Sequence, residues 1–191
     1  MPRARSACIR CALPLSRTET CGRCIALAPR FDDARAAFEY RFPMDRLVQR
    51  FKYAGDLAVG RWLAERLFEA VSESPRPQLI VSPPSTRERL RERGFNPALE
   101  IAKRVARQAG VPCAIGGLAR SRPTTPQPGL GRAAREANVM GALRCDTDVQ
   151  GLHVALVDDV MTTGATANAA ASVLKQAGAA RVSAWLVART P

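Results

Sequence analysis

At 191 residues, 47% of them hydrophobic, the chain suffices for one full domain and a small appendage; it is too short for two ordinary domains and too apolar for global disorder. Its longest apolar runs are strand-length, far short of the roughly 20 residues a membrane span requires. The formal charge of +12, from 29 Lys and Arg against 17 Asp and Glu, suits a solubilising surface or a polyanionic ligand: nucleic acid, an anionic membrane surface or a phosphorylated small molecule.

That charge is focused. Arg87, Arg89, Arg91 and Arg93 share one window, and Arg120, Arg122, Arg132 and Arg135 fall in a second stretch, which suggests a site more than an evenly basic skin.

Residues 2–16 mix Arg, Cys and Pro without an apolar run, so no signal peptide is read there and a cytoplasmic location is expected. Cys8, Cys11, Cys21 and Cys24 form two Cys-x-x-Cys pairs joined by a short connection, a spacing that gathers four thiolates around one tetrahedral zinc ion. Disulfides would need an oxidising compartment, and a redox Cys-x-x-Cys usually sits at a strand-to-helix junction. Residues 1–30 are expected to be a structural zinc module folded largely by its metal, and 31–191 the main domain. Cys113 and Cys145 are isolated and read as small buried apolar residues.

Residues 35–41 have β character. Pro43 opens a helical pattern with Leu47, Val48 and Phe51 on one face, and residues 56–73 continue as a second helix. A loop over 72–77 leads to a buried strand over 78–82. Residues 83–93 read as a Pro-led, Arg-rich loop, 96–110 as a helix, 111–115 as a short strand and 119–131 as a mobile loop. Further strands are expected over 139–143, 153–157 and 181–188, with a helix over 165–177 stopped by Gly178. Strands alternating with helices indicate an α/β fold, a mostly parallel sheet covered on both faces.

The most informative stretch runs from 153 to 166. An apolar strand leads to Asp158 and Asp159, and Met161, Thr162, Thr163 and Gly164 then pass into a helix opened by Ala165 and Thr166. Ligands of open α/β sheets bind beyond the carboxyl ends of the strands. Gly164 lets the backbone approach an anion, and the threonine hydroxyls add donors beside the free N–H groups of the helix start. The helix end alone contributes only about 0.3–2 kcal/mol toward an anion, so the other donors must supply the rest. The two carboxylates are acceptors for a vicinal diol. Phosphate at one end and diol at the other describe a ribose 5-phosphate. Gly129 to Ala134 fits a dinucleotide pattern but follows a Pro-rich loop instead of a strand, and His153, the only histidine, reads as structural.

An apolar strand, two acidic residues and Thr-Thr-Gly-x-Thr together resemble the type I phosphoribosyltransferases. The narrower resemblance, over nearly the whole chain, is to the ComF family. It rests on the cysteine knuckle, on Phe51-Lys52-Tyr53-Ala54-Gly55-Asp56, on Pro83-Pro84-Ser85 followed by the arginines to Gly94-Phe95-Asn96, and on Gln127, Arg132, Arg135 and Asn138. The family commonly has Gln where this chain has Pro97, so any contact of that side chain is lost while the helix start is kept.

The resemblance implies a type I phosphoribosyltransferase-like domain behind the zinc module, binding 5-phosphoribosyl-1-pyrophosphate. Pro83, Pro84 and Ser85 would approach the pyrophosphate, Arg87 and Arg93 would neutralise it, and Mg²⁺ would accompany it. Asp158 and Asp159 would hold the ribose, with Met161, Thr162, Thr163, Gly164, Ala165 and Thr166 around the 5-phosphate. Arg132 would act in catalysis from a closing loop that also carries Gln127, Arg135 and Asn138.

Two functions are therefore expected to compete. One is transfer of the phosphoribosyl group to an acceptor, for which no base-binding segment is legible. The other is an accessory role in competence and DNA uptake, in which the fold binds single-stranded DNA or competence-machinery proteins without turnover.

Overall fold

The computed structural model describes residues 1–3, 6–121 and 143–191. Residues 154–157 are apolar without alternation, the composition of a strand covered on both faces. They lie in β7 (His153–Met161), where all four are buried. β7 stands inside a four-stranded parallel sheet between β4 (Leu79–Val81) and β8 (Arg181–Arg189), and β3 (Asp33–Glu39) forms the edge beyond β8.

Helices cover both faces, as the alternation predicts. On one side lie α2 (Met44–Ala54), α3 (Leu57–Val71) and α5 (Pro97–Ala109), which bury Met44, Val48, Phe51, Leu63, Leu67, Ile101 and Val105 against the sheet. Each such large apolar side chain contributes about 1.5–3 kcal/mol relative to exposure. On the other side α6 (Ala165–Gln176) packs closely because Ala167, Ala169, Ala170 and Ala171 are small.

Local signals set the helix ends. Asp56 caps α3 by accepting from the N–H groups of Ala58 and Val59, and Asn96 caps α5 by accepting from Ala98, with Pro97 opening the helix. Gly55 and Gly110 end α2 and α5 in left-handed conformations that cost glycine little. Between α2 and α3 the Phe51 ring lies on the backbone at Gly60, where a Cβ would fall 2.8 Å from Phe51 Cδ2. That close approach fixes the register of α2, and with it the direction of Lys52.

The N-terminal segment contains a hairpin of β1 (Ser6–Ala7) and β2 (Pro14–Leu15), then α1 (Gly22–Ala26). An antiparallel pair, β5 (Leu118–Arg120) with β6 (Leu143–Cys145), completes the described elements. Among the described residues no helix is long and apolar enough to cross a membrane.

Four expectations need revision. The Arg-rich stretch is not all loop: α4 (Arg87–Arg93) is a helix capped by Thr86, whose Oγ1 accepts from Arg89 N, and its Arg, Glu and Leu residues are good helix formers. The strand over 111–115 reduces to one bridge, Cys113 beside Ile80, where Pro112 offers no N–H to a ladder. β7 continues past the aspartates to Met161, because β8 pairs with it as far as Arg189. Of residues 119–131, Ala119 and Arg120 belong to β5; the remainder of that segment from 122 and the strand over 139–142 lie outside the described residues.

Candidate ribose phosphate site and metal centre

The two aspartates close β7 at the carboxyl end of the sheet, and each braces one oxygen on the backbone. Asp158 Oδ1 accepts from Asp159 N at 2.8 Å, and Asp159 Oδ1 accepts from Val160 N at 2.6 Å. Asp159 Oδ1 also takes Lys52 Nζ at 2.8 Å, in an ion pair whose side chains are only 18% and 12% exposed. Among the described residues the second oxygen of each carboxylate is left without a protein donor. Two adjacent carboxylates, each with one oxygen committed and one free, make a pair of acceptors for two hydroxyls.

Burial, and after it the Asp159 charge, push the Asp158 carboxyl from its ordinary 3.8 up to about 7, against the opposing pull of Lys52 and Arg89. Between those values the folded chain holds a proton that the unfolded chain has released. Stability from this group is therefore full at acid pH and falls as the pH rises from about 4 to about 7. Asp158→Asn is expected to flatten that slope and to melt above the parent at about pH 8, with no difference near pH 4. Thermal melts across the range check it.

Beyond β7 the chain turns through Thr162, Thr163 and Gly164 into α6. Gly164 sits at φ 86°, a left-handed conformation that a larger residue resists, and Thr163 Oγ1 accepts from Ala165 N. A recess of about 40 Å³ is lined by Asp158, Met161, Thr162, Thr163, Gly164, Ala165 and Thr166 with their neighbours Val160 and Ala167. All the loop residues singled out from the sequence thus meet in one place, with Asp158 at its edge. Asp159 faces α2 instead, as alternation along a strand requires.

The diphosphate side is less gathered. Val81 of β4 pairs with Leu156 of β7, so Pro83, Pro84 and Ser85 leave the sheet beside the aspartates, and Asn96 Nδ2 fixes the turn by donating to Pro83 O at 2.9 Å. In α4, Arg87 is exposed, while Arg93 turns to Tyr53: its guanidinium lies 4.7 Å from the ring centroid and donates to the hydroxyl at 3.1 Å. Arg132, Gln127, Arg135 and Asn138 lie outside the described residues.

The cysteine cluster stands behind the threonine loop. The Sγ atoms of Cys8, Cys11, Cys21 and Cys24 all lie within 4.8 Å of one another, and Cys11 Sγ is 3.7 Å from Cys21 Sγ. Tetrahedral zinc with bonds of about 2.3 Å sets its thiolates about 3.8 Å apart, so the set fits that ion. Burial opposes a charged Cys8, yet backbone groups of Cys21, Cys11 and Arg10 bring its thiol down to about 7; burial and the neighbouring thiols push Cys24 up. Four thiols at this spacing could together hold one metal ion.

Buried Arg189 joins cluster to loop. Its Nε donates to Cys11 O at 3.2 Å, and its Nη1 donates to Met161 O at 3.2 Å and Thr162 O at 2.7 Å. Arg23 adds a bond to Thr163 O at 3.4 Å across a cavity of about 590 Å³ between the knuckle and α6.

Comparison with known proteins bears on the family and the fold. Residues 96–191 match the phosphoribosyl transferase domain. The DNA utilization protein YhgH of Salmonella typhi is 33% identical over 192 residues, covering 97% of this chain and 85% of that protein. Competence protein F of Haemophilus influenzae is 30% identical over 178 residues, 88% of this chain and 78% of the relative. The chain belongs to the ComF family. Another relative, competence protein ComFC of Bacillus subtilis, is 26% identical over 193 residues, with 96% and 78% covered. In fold, this ComF chain is similar to the glutamine phosphoribosylpyrophosphate amidotransferase of B. subtilis, with a TM-score of 0.50 and 21% identity over 73% of the chain, which spans only 30% of that enzyme.

Three residues of this ComF chain were not read from sequence as parts of the site: Lys52, Tyr53 and Arg189. Lys52 had a legible signal, since it follows Met44 and Val48 at helical spacing and so falls on the buried stripe of α2. Arg189 had a weaker one, an arginine directly after the apolar run 184–188. His153 is structural, as expected: its Nε2 meets Ser183 Oγ at 2.9 Å, and that hydroxyl donates to Asp33. Serine stands between histidine and aspartate there, the wrong order for a hydrolase.

Proposed function

We propose that the chain is an accessory protein of DNA uptake or utilisation whose fold binds 5-phosphoribosyl-1-pyrophosphate with Mg²⁺, and whose exposed arginine helix contacts a single-stranded DNA backbone. The observation that carries the ligand is the free Asp158 oxygen at the edge of the threonine recess, with a second free carboxylate oxygen on the adjacent Asp159. The names of the relatives, DNA utilization protein and competence protein, support the physiological role. In this reading residues 1–30 are the metal module and 31–191 the ligand domain. Asp158 and Asp159 hold the ribose hydroxyls; Met161, Thr162, Thr163, Gly164, Ala165 and Thr166 surround the 5-phosphate; Pro83, Pro84, Ser85 and Arg87 face the diphosphate, which carries the Mg²⁺. Most of α4 is exposed and presents arginines beside that pocket, a surface suited to phosphates in a row.

A second reading keeps turnover, and the carboxylate pair favours it because it can stabilise positive charge developing at the ribose. An acceptor would displace pyrophosphate at C1 through an oxocarbenium-like transition state, helped by positioning and by cationic groups on the leaving diphosphate.

Calorimetry with phosphoribosyl pyrophosphate and Mg²⁺ tests the ligand, and titration of single-stranded DNA at several salt concentrations tests the helix. Neutralising an α4 arginine that contacts DNA should lower the salt slope by about 0.7. The small ligand is expected to compete with DNA, because both address the carboxyl end of the sheet. No DNA binding even at low salt, with pyrophosphate released in the presence of an acceptor, would favour the enzyme. Tight DNA binding untouched by the ligand would place the DNA elsewhere.

A further inference from the structure

Phe51-Lys52-Tyr53-Ala54-Gly55-Asp56 has no part in the reading above, yet it places two consecutive side chains on two sides of the pocket. Phe51 locks the helix against Gly60, Lys52 reaches Asp159, and Tyr53 holds Arg93. Simple stability is a poor reason for the Lys52–Asp159 pair. Desolvating two charges offsets most of their attraction, and apolar replacements of such pairs are often neutral or stabilising.

The pair changes what the aspartates can bind. Without Lys52, Asp158 and Asp159 would be two adjacent carboxylates with free oxygens, a set of hard donors that invites a divalent cation. Lys52 occupies Asp159 Oδ1 together with Val160 N and halves the charge of the pair. The other charged group acting on Asp158 is Arg89 of α4, also positive. A pair so neutralised keeps its outward acceptors and loses its attraction for a metal.

We propose that Lys52 is a specificity-determining and positioning residue: from α2 it clamps one oxygen of Asp159, so that the aspartate pair accepts the hydroxyls of a sugar in place of a divalent cation. The assignment rests on the ribose phosphate reading for its ligand, but its effect on metal preference does not depend on that ligand.

The test measures both. Mn²⁺ binding to the zinc-loaded chain is followed by water proton relaxation at about pH 8, above the value of about 7 to which Asp158 is pushed in the parent; in the variant a bound cation would itself favour the ionised carboxylate. Lys52→Met is expected to bind Mn²⁺ at least about tenfold more tightly than the parent, as the site loses the one positive charge that Lys52 places against Asp159. Adding Asp158→Asn should abolish the gain, and Lys52→Arg should restore the parent behaviour. In parallel, ribose 5-phosphate without Mg²⁺ should bind the parent at least about tenfold more tightly than Lys52→Met, whose Asp159 is no longer held. If Lys52→Met fails to fold, Lys52→Gln removes the charge and keeps a hydrogen-bond donor. Equal Mn²⁺ binding by the parent and a folded uncharged variant overturns the proposal. A parent that ignores ribose 5-phosphate while the Mn²⁺ difference holds overturns the ligand reading and leaves Lys52 as the guard of the pair.

Discussion

Replacing Cys8 or Cys24 with serine is expected to release zinc from the chain and to loosen the phosphate loop along with the knuckle. The N-terminal segment has little else to hold it: α1 buries none of its residues, and β1 and β2 are two residues each. Structural zinc binding contributes about 10–16 kcal/mol to zinc-finger peptides, far more than a few buried alanines supply. The effect should travel because Arg189 holds Cys11, Met161 and Thr162 with one guanidinium, and Arg23 of the knuckle reaches Thr163. Losing the knuckle removes the Arg23 support of the loop and frees Arg189 Nε from Cys11, which loosens the guanidinium that holds Met161 and Thr162. Elemental analysis of the parent should find about one zinc per chain, and the serine variants should lose both zinc and affinity for phosphoribosyl pyrophosphate. Parent protein purified without chelator and free of metal would sink the assignment. Serine variants that lose zinc but bind the ligand unchanged would show that Arg189 keeps the loop without the knuckle.

The second large effect is at the carboxylates. Asp158→Asn with Asp159→Asn is expected to weaken phosphoribosyl pyrophosphate binding at least about tenfold while the fold survives. A hydrogen bond to a charged group contributes roughly 1.5–3 kcal/mol, and the double variant weakens two of them. Two effects work the other way: an amide still accepts through its oxygen, and removing two negative charges lowers repulsion of the anionic ligand. The charge-assisted bonds should win, because both free oxygens lie next to backbone-braced partners whose direction is fixed. Calorimetry measures the affinity and circular dichroism the fold. A double variant that is folded and binds like the parent would remove the diol from this site.

Much of this site could be read from residues that are neighbours in sequence. Asp158 to Thr166 form one continuous strand end, loop and helix start, so their chemistry is local and the motif carries it. The Cys-x-x-Cys pairs are legible for the same reason. What sequence did not disclose is contact at long range. Lys52 lies 107 positions from Asp159, and Arg189 lies 178 from Cys11, so no spacing rule connects them. The misreading of α4 has another cause. Pro83 and Pro84 pointed to loop, and with no buried residue in α4 there was no apolar stripe to signal a helix. The shortened strand at Cys113 shows tertiary context overriding β propensity, since only Ile80 offers it a neighbour.

The order of strands also bears on how the chain is made. Among the described residues β3 sits at the sheet edge with β8 as its one neighbouring strand, pairing Asp33 with Ser183 and Glu39 with Arg189. On a ribosome, β3 leaves the exit tunnel well ahead of β8, since Asp33 and its partner Ser183 are 150 positions apart, and it must wait for that stretch to be translated. Closing so long a loop is slow, and the waiting strand exposes the unpaired backbone and apolar side chains that draw nascent chains into aggregates. The residues next to it are suited to that interval. Asp32, Asp33 and Arg35 place charge at its start, and a thiol cluster a few residues upstream can bind its ion without any later part of the chain. A metal-stiffened segment made just ahead of β3 would then screen the edge until β8 arrives.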